Sequence, residues 1–186
     1  MNSFFDVQQA LQQKPAKILS PGQVPQAAVA LVLFSNGQLL MMRRAKREGD
    51  PWSGHMAFPG GRREPQDVNL QATAERETLE EVRLDLQRDG QLLGRLDDML
   101  HPKMYIAAFV YGVSSAVQPQ GNEEVDTLYR FPLQQLRDPQ KRGQIYRVFQ
   151  QQRHRFPAIH IDDAEIWGIS LGFIDDLLAR IPVFSS

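Results

Sequence analysis

Apolar and polar positions alternate between two periods along this chain. Ala27 to Phe34 is an unbroken apolar run and predicts a buried strand. Asn36-Gly37 follows as a hairpin signal, and Gln38 to Arg43 supplies the return strand. The polar, basic stretch Arg44 to Gly54 predicts a loop, and His55 to Phe58 a short strand that stops at Pro59-Gly60-Gly61. Further strands are predicted at Gln91–Leu96, Tyr105–Val113, Val125–Phe131 and Pro157–Ile161.

The helical period appears in three places. Phe4, Phe5, Val7, Ala10 and Leu11 predict a short N-terminal helix over Ser3–Gln13, ended by Pro15. Ala74, Thr78 and Val82 lie at i, i+4 and i+8 and form one inward stripe. Ile169–Ile181 closes the chain as an amphipathic helix with Leu171, Ile174, Leu177 and Leu178 turned inward. Gln134–Gln152 is glutamine-rich but too mixed to read as disordered, and no repeat is present. Helices interspersed among strands predict an α/β or α+β sandwich.

Composition narrows the chemistry. The 186 residues suit one domain, residues 1–186, with a core of its own. The 21 lysines and arginines nearly balance 22 acidic residues, so no global field directs the chain to nucleic acid or to a membrane. The absence of cysteine excludes disulfides, thiolate metal sites and a cysteine nucleophile. No apolar run approaches the roughly 20 residues of a membrane span, and a cytoplasmic protein is the expectation. The four histidines show no ligand spacing to one another.

The chemistry concentrates between Phe58 and Val82. Glu75, Glu77, Glu80 and Glu81 crowd one short helical stretch directly after the glycine corner. Glu77, Glu80 and Glu81 project from one side, and like charges at that spacing cost a few tenths of a kcal/mol per pair. They form either a solvated acidic face or a cage for a hard divalent cation, which takes oxygen ligands. The glycine corner favours the cage, because glycine lets backbone approach a ligand closely. Arg76, four residues before Glu80, is placed to fix a carboxylate rotamer.

Gly61, Asp67 and the run Arg76-Glu77-Thr78-Leu79-Glu80-Glu81-Val82 resemble the signature of the Nudix hydrolases. Asp67 stands where that signature has glutamate, one extra residue precedes Arg76, Thr78 takes an apolar position, and Arg83 replaces a late glycine. Gly54-His55-Met56-Ala57-Phe58-Pro59-Gly60-Gly61, Thr73-Ala74-Glu75-Arg76-Glu77, Asn122-Glu123-Glu124-Val125 and Ile166-Trp167-Gly168-Ile169 are similar to the coenzyme A diphosphatase branch.

The resemblance implies a Nudix-type α/β/α sandwich with a mixed β-sheet, residues 1–20 serving as helix and lead-in and residues 58–84 as corner and metal helix. It implies hydrolysis of a nucleoside diphosphate linked to another group, with Mg²⁺ or Mn²⁺. Glu77, Glu80 and Glu81 would hold metal with the Gly60 carbonyl, and Arg76 would orient a carboxylate. The base is left between Glu81 of the helix itself and Glu123 or Glu124, on a loop that would close over the helix. Arg43, Arg44, Arg62 and Phe58 are the candidate substrate contacts, with Lys46, Arg47 and Arg63 flanking the corner. Coenzyme A leads as substrate; ADP-ribose, NADH or a non-catalytic binding module are the alternatives, and a homodimer stays open. Trp52 reads as a stacking or packing residue, Trp167 as core, and Asp162, Asp163 and Glu165 as a solvated turn.

Overall fold

The computed structural model describes residues 3–19, 26–101, 104–149 and 151–181. Helix α1 (Phe4–Gln13) starts at a capping box, in which the Ser3 side chain accepts from Asp6 N and the Asp6 carboxylate accepts from Ser3 N. It buries Val7 and Leu11 and leaves Phe5 exposed. The main sheet comprises β1 (Gln26–Phe34), β2 (Gln38–Arg44), β3 (Met56–Ala57), β4 (Gly60–Arg62), β5 (Gly90–Arg95), β6 (Met99–His101), β7 (Met104–Val113) and β8 (Val125–Pro132). Its strand order is β3-β2-β1-β7-β5, with β4 also on β1, β6 on β7 and β8 on β2. Strands β1 and β7 run parallel and the other pairs antiparallel, so the sheet is mixed.

Burial on both faces explains the unbroken apolar run of β1. Ala28, Ala30, Val32 and Phe34 face one core with Tyr105, Ala107, Phe109 and Tyr111 of β7; helices α2 (Leu70–Val82) and α3 (Leu86–Asp89) cover it through Ala74, Val82 and Leu86. Ala27, Leu31 and Leu33 face the opposite core with Val7 and Leu11 of α1 and Leu171, Ile174 and Leu177 of α5 (Gly168–Arg180). The result is the expected α/β/α sandwich.

A second sheet, ordered β11-β10-β9, is built from β9 (Arg142–Phe149), β10 (Gln152–Ile161) and β11 (Ala164–Trp167). Ile159, Ile161, Ala164 and Ile166 join the core beneath α5, while Tyr146 and Val148 are exposed. The strand predicted at Pro157 therefore begins earlier, at Gln152, and the glutamine-rich stretch holds α4 (Leu133–Arg137) and β9. Among the described residues no helix is long and apolar enough to cross a membrane.

Helix α2 ends where the sequence placed an arginine instead of glycine. Arg83 takes a left-handed conformation (φ 53°, ψ 34°) and its N–H returns to Leu79 O. The arginine thus closes the helix as a left-handed cap. It accepts the backbone that glycine would adopt without strain.

Candidate active site

The corner packs β4 against β1 at Gly60 and against α2 at Gly61 more closely than any side chain permits. A Cβ at Gly60 would stand 2.6 Å from Val29 Cα, and one at Gly61 would overlap the Glu77 carboxylate. Across this narrow gap Gly60 N–H donates to Glu81 Oε2 at 2.8 Å. Glu81 is only 4% exposed. Burial pushes its carboxyl up to about 8, with Glu77 and Glu124 adding like charge against the Gly60 N–H and the Arg44 guanidinium. Burial also raises Glu77, opposed by Arg76.

Arg76 and Asp67 form the latch of this corner. Asp67 is buried, and its two oxygens accept from Arg76 Nε and Nη2, both at 3.0 Å. Thr73 Oγ1 and Glu64 N donate to it as well, each at 2.9 Å. The Arg76 hydrogen bonds, foremost, hold its carboxyl far below the usual carboxylate range against the cost of burial. The remaining Arg76 donors reach Glu77 Oε1 at 3.0 Å, Glu80 Oε2 at 3.1 Å and Arg62 O at 3.1 Å. Asp67 therefore anchors the arginine that orients two carboxylates. Glu75 turns away, accepting from Tyr111 Oη at 2.6 Å and from Gln71 and Gln87.

The loop before β8 lies against the C-terminal turn of α2. Gln120 N donates to Val82 O and Asn122 N to Glu81 O, each at 2.9 Å, while Asn122 Nδ2 donates to Glu80 O at 3.0 Å. These are carbonyls that a helix end leaves without intrahelical partners. Asn122 Oδ1 then accepts from Glu124 N at 2.8 Å, and Arg47 Nη1 meets Glu124 Oε1 at 3.2 Å. The loop is docked on the helix end, not poised above it.

Several sequence expectations change here. Phe58, a candidate substrate contact, is 3% exposed and belongs to the core. Arg43 is paired with Asp163 through Nη1 at 2.8 Å and lies over the Tyr129 ring. Arg63 holds its own loop by donating to Asp67 O. Arg44 pairs with Asp50 at 3.1 Å, and its buried Nε has no hydrogen-bond partner among the described residues. The Arg62 side chain is exposed at the corner. Asp163 and Glu165 are not a merely solvated turn, since Arg147 also meets Glu165 at 2.7 Å. Trp167 is half-buried, edge-on to His55, and lines a cleft of about 70 Å³ with Arg43, Arg147, Asp163 and Glu165. Trp52 is 42% exposed.

Among the described residues no three acidic or histidine side chains are already gathered as a metal cage. Arg76 draws Glu77 and Glu80 toward itself, and Gly60 N–H holds Glu81. The donor set nonetheless fits a hard divalent cation: three carboxylates on one side of a helix, with Glu81 kept from ionising chiefly by its burial. The anchoring role of Asp67 and the bridging role of Asn122 were missed in the sequence. Both stood in stretches that carried the family resemblance, but their bonding roles had no signal beyond short polar side chains in turn segments.

A family model described as the NUDIX domain matches residues 24–152. An uncharacterized Nudix hydrolase NudL of Photorhabdus laumondii is 27% identical over 179 residues, covering 91% of each chain. Its counterpart in Yersinia pestis is 29% identical over 147 residues, 78% of this chain and 73% of that one. An uncharacterized protein of Schizosaccharomyces pombe is 40% identical over 81 residues; the match spans 39% of this chain and only 25% of that protein's length. The crystal structure of a NUDIX hydrolase from Alicyclobacillus acidocaldarius has the same fold, with a TM-score of 0.55 at 16% identity, covering 86% of this chain and 93% of that one.

Proposed function

The chain belongs to the Nudix family, and from that premise we propose that it is a divalent-metal-dependent diphosphatase whose substrate is coenzyme A or an acyl derivative. Glu77, Glu80 and Glu81 would hold the metal, with the Gly60 backbone beside them. Bound there, Mg²⁺ or Mn²⁺ would neutralise diphosphate charge and acidify a water. Arg76, anchored on Asp67, orients Glu77 and Glu80. The water oxygen bonds to one phosphorus, the bridging P–O bond breaks, and the bridging oxygen leaves with the second phosphate. Glu124 is the carboxylate we assign to take the water's proton. Arg62, exposed at the corner, is the cation we assign to meet phosphate oxygens, whereas Arg44 is held by Asp50 and its Nε is buried.

The observation that carries the reading is the buried Glu81 carboxyl beside Glu77, an arrangement that a bound cation would relieve. The coenzyme A assignment rests on the lead-in Gly54–Gly61 and on the spacing from Asp67 to Thr73. Incubation with coenzyme A, ADP-ribose and NADH at saturating Mg²⁺, with products resolved by mass, tests it. Release of 3′,5′-ADP and a phosphopantetheine fragment at the highest kcat/KM supports it. A much higher kcat/KM on ADP-ribose or NADH removes the coenzyme A assignment and leaves the diphosphatase. No turnover with bound metal leaves a ligand-binding module.

A further inference from the structure

One small side chain joins two parts of the site that the sequence separates by some forty residues. Asn122 uses all of its polar groups except its own carbonyl for this purpose. Its backbone N–H donates to Glu81 O at 2.9 Å and its amide Nδ2 to Glu80 O at 3.0 Å. Its Oδ1 accepts from Glu124 N at 2.8 Å. The two carbonyls belong to residues whose carboxylates are in the proposed metal set, and they lie on the turn that cannot satisfy its own acceptors. The remaining ties of Glu124 come from the basic loop: Ala45 N donates to Glu124 O at 2.8 Å, and Arg47 meets its carboxylate. Glu124 is thus held between two loops, and only Asn122 joins it to the metal helix by side-chain hydrogen bonds among the described residues.

We propose that Asn122 is a positioning residue that fixes Glu124 relative to the Glu80–Glu81 turn of α2, so that the carboxylate and the metal helix move as one unit. The proposal rests on the functional reading above, through the role assigned to Glu124. No other residue type of similar size offers both a donor and an acceptor at fixed separation on so short a stem. Aspartate would keep the acceptor for Glu124 N but would place a negative oxygen against Glu80 O. Alanine would leave both carbonyl and amide to water.

The test combines kinetics with a measurement that needs no turnover. In Asn122→Ala, kcat should fall about 10- to 100-fold, part of the roughly 10²–10⁴-fold that a placed base contributes. KM and the calorimetric affinity for Mn²⁺ should stay within about 3-fold, because the ligand side chains remain on an intact helix. Glu124→Gln should lower kcat at least as far. The double variant should be no slower than Glu124→Gln alone, since residues acting as one unit are not additive. Hydrogen exchange at the Asn122 and Glu124 amides should quicken in Asn122→Ala while the middle of α2 stays protected. Wild-type kcat in Asn122→Ala, multiplying losses in the double variant, or loss of Mn²⁺ binding would each overturn the proposal. If wild type cleaves none of coenzyme A, ADP-ribose and NADH, the functional reading fails first. Unchanged amide exchange in Asn122→Ala would then overturn the positioning role of Asn122, and faster exchange confined to the loop would support it.

Discussion

Two acidic clusters in this molecule look alike in the sequence and differ in their accounts of charge. At the turn between β10 and β11, Asp163 and Glu165 each have an arginine of their own, Arg43 and Arg147. Around α2, Glu64, Asp67, Glu77 and Glu80 all share Arg76, and among the described residues Glu81 has no arginine within bonding distance. In the first cluster Asp163 and Glu165 are each matched, Asp162 is exposed to solvent, and all three acids lie at the surface. The second carries surplus negative charge, part of it buried. Charge density along the sequence is therefore a poor guide to a cation site; unmatched carboxylates held out of water are a better one.

The sharpest way to break this contrast is to remove one unmatched carboxylate. Glu81→Gln should lower kcat about 10²- to 10³-fold, the scale of losing one electrostatic group at a reacting centre, with the circular dichroism of the folded protein retained. Arg76→Ala tests the latch through stability. It strands the buried Asp67 carboxylate and should cost about 3–5 kcal/mol in urea unfolding, as a broken buried pair does.

The two buried acids should also respond to pH in opposite senses. Asp67 is depressed, so its contribution is present above its ordinary 3.8 and disappears only as pH falls through a folded value far below that. Glu81 is raised, so the metal-free protein is most comfortable below the ordinary 4.5 and loses stability as pH rises through about 8. Melting temperatures of metal-free wild type should decline across that window, and Glu81→Gln should flatten the slope. Arg83→Gly should stabilise by about 0.5–1 kcal/mol, because relief of the left-handed strain exceeds the glycine entropy. Glu165→Gln, at the matched cluster, should change stability by less than about 1 kcal/mol, as expected for an exposed pair.

The legible parts of the fold were those set by local pattern. The run Ala27–Phe34, the Asn36-Gly37 turn, the stripe of Ala74, Thr78 and Val82 and the final helix all appear where periodicity put them. Strands β4, β6 and β11 were not legible, because three or four residues are too few to show a period; β4 moreover pairs with β1, more than thirty positions earlier, whereas β6 and β11 are arms of hairpins with β7 and β10. Strand β9 carried a signal in Ile145, Tyr146 and Val148 that the surrounding glutamines masked. At the site, the three glutamates and Arg76 could be placed on one face from spacing alone. The role of Asp67 required the folded turn Arg63–Asn69, and the pairing of Arg43 with Asp163 spans 120 positions. Phe58 was misjudged because proximity to the glycine corner says nothing about which face of the sheet a side chain enters.

The central claim is that α2 keeps an uncompensated, partly protonated carboxylate set for a divalent cation. Its most direct test is calorimetric titration of Mn²⁺ into metal-free protein at pH 7, in two buffers of different ionisation enthalpy. If the claim holds, wild type binds Mn²⁺ and releases close to one proton per ion, because Glu81, raised to about 8, must give up its proton to become a ligand. Glu81→Gln then binds at least about tenfold more weakly and releases none, while Glu165→Gln matches wild type. Equal affinity in Glu81→Gln and wild type, with no proton released by either, would contradict it.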